Sequence, residues 1–382
     1  MGRCVNNAGR PARGGFSPLR LFVDRIARFW RETGRDILIG QEGSSQMRAA
    51  FFKTPGQVEL RQMDRPVPGM GEVLVRITAA GICGSDVAAW REIEQDWHRR
   101  GHEFAGVVEQ VGEGVAGLTP GLAVAGYGSL PCGACAHCRR GKLRFCLSPR
   151  SCGGGAFADY LCLPAEFWYP LDGLTAEEGA LLEPLTVAME MVRDAEVKLG
   201  DTVLLLGAGP IGLMALALAK AMGARVLVSH RRSSARRWAI AEAWGADALI
   251  DAAEEDVPRR VRQLAPHGVD SVLVTTRPSE SVGLAAECAA RGGVLSLIGM
   301  EWGQAQFCLD IDRFHFANLR LVGSNHNPCS LHYDAAAELI RSGVVPAAEL
   351  VRNRFPLGEI EQAFRMAAER PGDVAKVMIV GE

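Results

Sequence analysis

The stretch that most constrains the fold is Val203-Leu204-Leu205-Leu206 running into Gly207-Ala208-Gly209-Pro210-Ile211-Gly212. An apolar strand, a G-x-G-x-x-G turn and a helix start succeed one another without a gap. Gly207 permits the tight turn, Gly209 lets the backbone approach a pyrophosphate, and Gly212 lets helix and strand pack closely. The helix start then offers free N–H groups and the positive end of its dipole to the anion. Gly207, Gly209, Pro210, Ile211 and Gly212 are therefore candidate dinucleotide contacts.

The residues beyond Gly212 keep up the alternation. Strands are expected at Arg225–Ser229, Ala248–Ile250, Asp270–Thr275 and Gly293–Ile298. Helices are expected at Leu213–Met222, Ala235–Trp244 and Ser281–Ala290. Such alternation predicts an α/β domain with a doubly wound parallel sheet, over about residues 186–322. Before it, Gly- and Pro-punctuated short strands predict a β-rich body over residues 47–185. Arg48–Phe52 and Val58–Gln62 read as a hairpin around Pro55-Gly56, with Glu72–Ala79, Gly106–Val111 and Leu122–Ala125 after it. The β-type pattern resumes at Leu319–Ser324, so residues 323–382 are expected to return to that first body. The dinucleotide-type domain is thus inserted into it.

The chain has 382 residues, a net charge of -2 and 48% hydrophobic residues. That balance excludes bulk electrostatic attraction to nucleic acid or anionic membranes, and no apolar run approaches the ~20 residues of a membrane span. The extension at 1–46 is arginine-rich, with Leu19, Phe22, Ile26 and Phe29 at helical spacing. It reads as a dispensable, poorly ordered segment ahead of Met47 or, against its acidic residues, as a targeting peptide.

In a dinucleotide-binding sheet, the second strand ends in Asp or Glu when the ribose carries a free 2′-hydroxyl. Here it runs Val228-Ser229-His230-Arg231-Arg232, without an acid. Ser229, Arg231 and Arg232 suit a 2′-phosphate, which favours NADP, while a solvated helix start would leave NAD open. Thr275 ends a strand where the nicotinamide should lie, and a plain strand end accounts for it equally.

Eleven cysteines are present, and four of them form C-x2-C-x2-C-x7-C: Cys132, Cys135, Cys138 and Cys146. That spacing suits a closed Cys4 structural zinc lobe at about 130–147, with an iron–sulfur cluster as the rival. Free thiols persist in a reducing compartment, so a cytoplasmic setting is expected.

Gly81-Ile82-Cys83-Gly84-Ser85-Asp86, Gly101-His102-Glu103 and Leu182-Glu183-Pro184 supply a thiolate, an imidazole and carboxylates, which are catalytic-zinc ligand types. Their order, with the Cys4 lobe and the glycine turn, resembles the zinc-dependent medium-chain dehydrogenase/reductase family from about Met47 onward. The likeness is greatest to its sorbitol and sugar-alcohol dehydrogenase branch, because Glu103 directly follows His102 and Glu183 precedes proline. The resemblance implies a GroES-like catalytic domain, a Rossmann domain, two zinc ions per chain and a homodimer or homotetramer. By motif, Cys83, His102 and Glu103 would hold the catalytic zinc, with Glu183 as a fourth ligand or acting through water. Ser85 would relay the alcohol proton, or else it is a turn residue. Many relatives carry a relay histidine where this chain has Ala88.

The implied activity interconverts a secondary alcohol of a polyol, cyclitol or sugar acid with its ketone by hydride transfer to NADP or NAD. The rivals are a simple alcohol dehydrogenase with an apolar pocket and a catalytically silent nucleotide sensor. The charged segment Val87–Arg100, with Trp90, Glu92, Glu94 and Asp96, is read either as a polar pocket wall or as a solvated helix.

Overall fold

Strand Glu72–Gly81 is largely buried and lies at the centre of the first sheet. That sheet has seven strands. Along its path run Trp168–Pro170, Ala123–Gly126, Glu103–Val111, Glu72–Gly81, Lys376–Val380 and Val351–Pro356, while Tyr160–Pro164 also pairs with Glu72–Gly81. The computed structural model describes residues 46–92, 96–299, 306–324, 329–369 and 372–381. The extension before Gln46, Glu94 and Asn325–Asn327 lie outside the described residues.

The hairpin forms as Gln46–Lys53 against Gln57–Asp64, and His98–Arg99 adds a third strand. The second large sheet is parallel throughout, in the order Ala248–Asp251, Arg225–His230, Thr202–Leu206, Val269–Val274, Ala289–Leu297 and Arg320–Gly323. Its central strand Thr202–Leu206 is buried after its first residue, as strands covered on both faces must be. Helix Pro210–Ala221 covers one face with an almost unbroken buried run. The strand expected at Leu319–Ser324 does not rejoin the β-rich body. It pairs in parallel with Ala289–Leu297 at the edge of the dinucleotide-type sheet. Short strands look alike in sequence whichever sheet they join, so only pairing decides.

Trp90, expected on a polar pocket wall or a solvated helix, is buried instead. It is 3% exposed, stacks edge-on against Phe364 and donates its indole N–H to the Gln57 carbonyl. It belongs to the core and walls no pocket. Asp96 is exposed and bonds the neighbouring Trp97 backbone. Glu92, at the end of helix Gly84–Glu92, reaches Arg277 of the other half at 3.5 Å. Among the described residues, no helix is long and apolar enough to cross a membrane.

Candidate active site

Three adjacent strands bring the distant motifs together. Gly81 pairs with Glu103 across one strand boundary and with Met378 across the other. Cys83, His102, Glu103 and Lys376 therefore gather at the same end of the sheet. Gly101 turns the chain into His102 at φ 102°, a region that side chains rarely enter. A side chain at Gly81 would collide with Glu103 and Lys376.

The Cys83 sulfur, a His102 ring nitrogen and a Glu103 oxygen all lie within 4.8 Å of one another. Glu183 is 5% exposed and lies in the first turn of helix Leu182–Asp194, where a carboxylate favours the helix dipole. Its oxygens fall outside the 4.8 Å set, yet its charge acts on both His102 and Glu103.

Two further residues complete the cluster. Asp86 is 2% exposed, accepts the Cys83 backbone N–H at 3.1 Å and comes within 3.6 Å of His102 Nδ1. That leaves the other ring nitrogen for a ligand. Lys376 is 3% exposed, ion-pairs with Glu103 and donates to the Ile82 carbonyl at 3.0 Å. Sequence reasoning misses both. A lysine inside an otherwise apolar strand is the available signal for Lys376.

The electrostatics fit a dication. Burial alone would depress the His102 pKa, but Asp86, Cys83 and Glu183 outweigh it and hold it well above the ordinary value. Burial pushes Glu103 up, against the pull of Lys376. Burial likewise opposes the charge on Lys376, and Glu103, Cys83 and Glu183 more than restore it. Three buried carboxylates and a thiol thus share one lysine and one imidazole. A divalent ion balances that excess, and thiolate, imidazole and carboxylate are all zinc ligands.

The Cys4 lobe is built differently. Its four sulfurs also lie within 4.8 Å of one another, with Cys132–Cys138 at 3.9 Å and Cys135–Cys146 at 4.0 Å. A tetrahedron with zinc–sulfur bonds of about 2.3 Å has edges of about 3.8 Å. Backbone N–H groups point at the sulfurs, as in Cys135 N to Cys132 Sγ and Cys132 N to Cys146 Sγ, both 3.3 Å. The N–H of Leu147, with that of Cys138, pulls the Cys135 thiol down to about 6. His137 takes no part in the set.

At the glycine turn, a Cβ on Gly207 (φ 104°) would strike Thr275 Oγ1, and one on Gly212 would meet the Gly207 carbonyl at 2.2 Å. A Cβ on Gly209 would meet nothing within 4 Å. Among the described residues no group demands glycine at 209, which leaves open space beside the turn. Gly209 caps helix Pro210–Ala221 without a side-chain bond, leaving the first N–H groups available; Ile211 sits in that first turn. Thr275 spends its hydroxyl on the Leu206 and Gly207 carbonyls, so it braces the turn. Ser229 is buried, and its carbonyl accepts the Gly207 N–H. Arg231 and Arg232 are exposed beyond it. Asp251, the acid beside them, accepts the backbone N–H groups of Arg232 and Ala253.

Comparison with known proteins agrees with this geometry. Residues 69–173 match the alcohol dehydrogenase GroES-like domain, and residues 210–342 match the zinc-binding dehydrogenase domain. A protein named as a D-xylulose reductase of Aspergillus terreus is 33% identical over 86% of this chain and 97% of its own. The L-threonine 3-dehydrogenase of Pyrococcus horikoshii is 31% identical over 88% and 99%. The L-galactonate-5-dehydrogenase of Escherichia coli is 29% identical over 84% and 95%. A crystal structure described as a zinc-binding dehydrogenase of Sinorhizobium meliloti bound to NADP superposes with a TM-score of 0.80, at 30% identity over 88% of this chain and 99% of that one. Motif, fold and relatives converge, and the chain belongs to the zinc-binding dehydrogenase family of oxidoreductases, which act on alcohols with zinc and a nicotinamide dinucleotide.

Proposed function

We propose that this dehydrogenase interconverts a secondary hydroxyl of a polyol, cyclitol or sugar acid with the ketone, using NADP in preference to NAD. The observation that carries the reading is the cluster of Cys83, His102 and Glu103 within 4.8 Å, backed by Asp86 and Lys376. Cys83, His102 and Glu103, with Glu183 close by, would hold the catalytic zinc, and Cys132, Cys135, Cys138 and Cys146 the structural one. Bound zinc supplies a Lewis acid that lowers the pKa of an alcohol, and the nicotinamide supplies the hydride acceptor. Asp86 orients His102, and Lys376 limits how much of the Glu103 carboxylate is free. Ser85, two residues after Cys83, receives the alcohol proton at Oγ and passes it towards solvent. The glycine turn seats the pyrophosphate on the Pro210–Ala221 helix start.

The names of the xylulose and galactonate relatives support a hydroxylated substrate. Preference for NADP rests on the missing acid after Val228, the exposed Arg231 and Arg232, and the engagement of Asp251 with backbone. Nine cysteines present as thiols rather than disulfides among the described residues support a cytoplasmic setting.

The test is a panel of polyols, sugar acids, L-threonine and simple aliphatic alcohols, each with NAD and NADP. Turnover of a polyol or sugar acid with NADP is the expected result. Preference for an aliphatic alcohol or for L-threonine overturns the substrate class. Strong preference for NAD overturns the reading of Ser229, Arg231 and Arg232.

A further inference from the structure

Helix Leu182–Asp194 touches both metal-type clusters. Its first turn carries Glu183. Seven residues later, nearly two full turns and about 10 Å along the axis, Glu190 projects from the same face, and Asp194 comes four residues further on. Both acids are buried, with 3% and 8% of their side chains exposed. The residue that grips them is Arg144, from the Leu143–Phe145 turn of the Cys4 lobe, two residues before Cys146. Its guanidinium donates to Asp194 Oδ1 at 2.7 Å and to Oδ2, while Nε reaches Glu190 Oε2 at 3.1 Å. Glu190 has further partners in Arg193 and in His332, the latter at 2.6 Å.

We propose that Arg144 is a positioning residue for Glu183, so that closure of the Cys4 lobe sets how tightly the catalytic cluster holds its metal. The coupling is mechanical. A fork of three guanidinium nitrogens on two carboxylates fixes direction as well as distance, which a single point charge would not. A buried ion pair contributes little net stability, so its geometry is the more telling property. A thirteen-residue helix transmits an axial shift at one end to the other. Glu183 is buried beside the set formed by Cys83, His102 and Glu103 without belonging to it, and its charge acts on His102 and Glu103, so its position along the helix axis governs whether it ligates. An emptied lobe frees Cys146 and the turn beside it, loosens Arg144, and lets the helix retreat.

The inference rests on Glu183 acting as a ligand, and the experiment separates the two. Zinc affinity of the Cys83–His102–Glu103 cluster is measured by chelator competition in the full chain, with native mass spectrometry counting zinc per chain. Arg144→Ala and Glu183→Gln are each expected to weaken that site about tenfold or more, the usual scale for a lost support behind a metal ligand, with the lobe metal retained. The double variant is expected to be no weaker than Glu183→Gln alone. Losses that multiply, or an unchanged affinity in Arg144→Ala, overturn the coupling. An unchanged affinity in Glu183→Gln overturns the ligand reading and the coupling with it. Asp194→Asn breaks the same contact from the helix side without touching the lobe, and must show the same non-additivity. Arg144→Lys restores the charge without the fork, so recovery of stability without recovery of affinity is the positioning signature.

Discussion

The two metal-type clusters reach similar inter-ligand spacings by opposite routes. The lobe draws Cys132, Cys135, Cys138 and Cys146 from one short segment, and neighbouring backbone N–H groups satisfy its sulfurs. The proposed catalytic cluster draws Cys83, His102 and Glu103 from the facing ends of two paired strands, with Lys376 from a third strand and Glu183 from a helix. Local turns make a closed site that any scaffold could carry. Strand pairing makes an open one whose charges depend on the whole domain. The first is a staple, and the second is a by-product of the fold that it must then keep in balance.

The largest effect that sharpens this contrast is Cys83→Ala. It should abolish turnover and leave one zinc per chain by elemental analysis, with the fold intact by circular dichroism. Cys146→Ala should do the reverse, lowering the melting temperature while turnover per folded chain recovers at saturating zinc. If Cys83→Ala still turns over, the contrast collapses.

Next in size is Lys376→Met. It strands Glu103 as a buried charge, and breaking such a pair costs about 3–5 kcal/mol. Urea titration should find that loss in the zinc-free protein and a markedly smaller one with zinc bound, because the dication takes over from the ammonium. Equal losses in both states would mean that Lys376 does not compete with the metal for Glu103.

Asp86→Asn should come third, weakening zinc at the catalytic cluster about 10–100-fold while the lobe keeps its metal. Chelator competition reads both. Parallel weakening of the lobe would show that Asp86 acts through the fold as a whole rather than through His102.

The smallest effect is on pH. His102 is held well above its ordinary value in the zinc-free protein. A raised folded-state pKa contributes stability that is complete below about pH 6.5 and is lost as pH climbs through the raised value. Zinc needs the unprotonated nitrogen, so affinity at this cluster should rise with pH over the same window, by up to about tenfold per unit for one proton. A flat profile in chelator competition would remove His102 from the ligand set.

Sequence exposes the parts of this molecule whose meaning is local. The strand Thr202–Leu206 and the C-terminal end of helix Pro210–Ala221 stand within a residue of their expected ends, while the helix begins three residues before the expected Leu213, because Pro210 opens it directly after the glycine turn. The Cys4 spacing is of the same kind. The catalytic motifs are legible as residue types, but their assembly is not, since it depends on the pairing of Gly81 with Glu103 and Met378. Asp86 lies inside a motif that gives no hint of its task. Lys376 shows only as a lysine in an apolar strand, and Arg144 not at all, because their partners are remote in sequence. Trp90 misleads for the opposite reason, since a large aromatic in a charged stretch looks like a pocket wall until its packing against Phe364 is known. Thr275 ends a strand where the nicotinamide is expected, yet its hydroxyl serves the Gly207 carbonyl.

Because Lys376 sits in a strand translated long after Cys83 and His102, a ribosome-bound chain holds the early ligands without the cation that neutralises them. Until that strand docks, Glu103 lacks its ammonium partner. The lobe, by contrast, has all four of its cysteines once Cys146 has emerged, and it waits for no residue of the later strands.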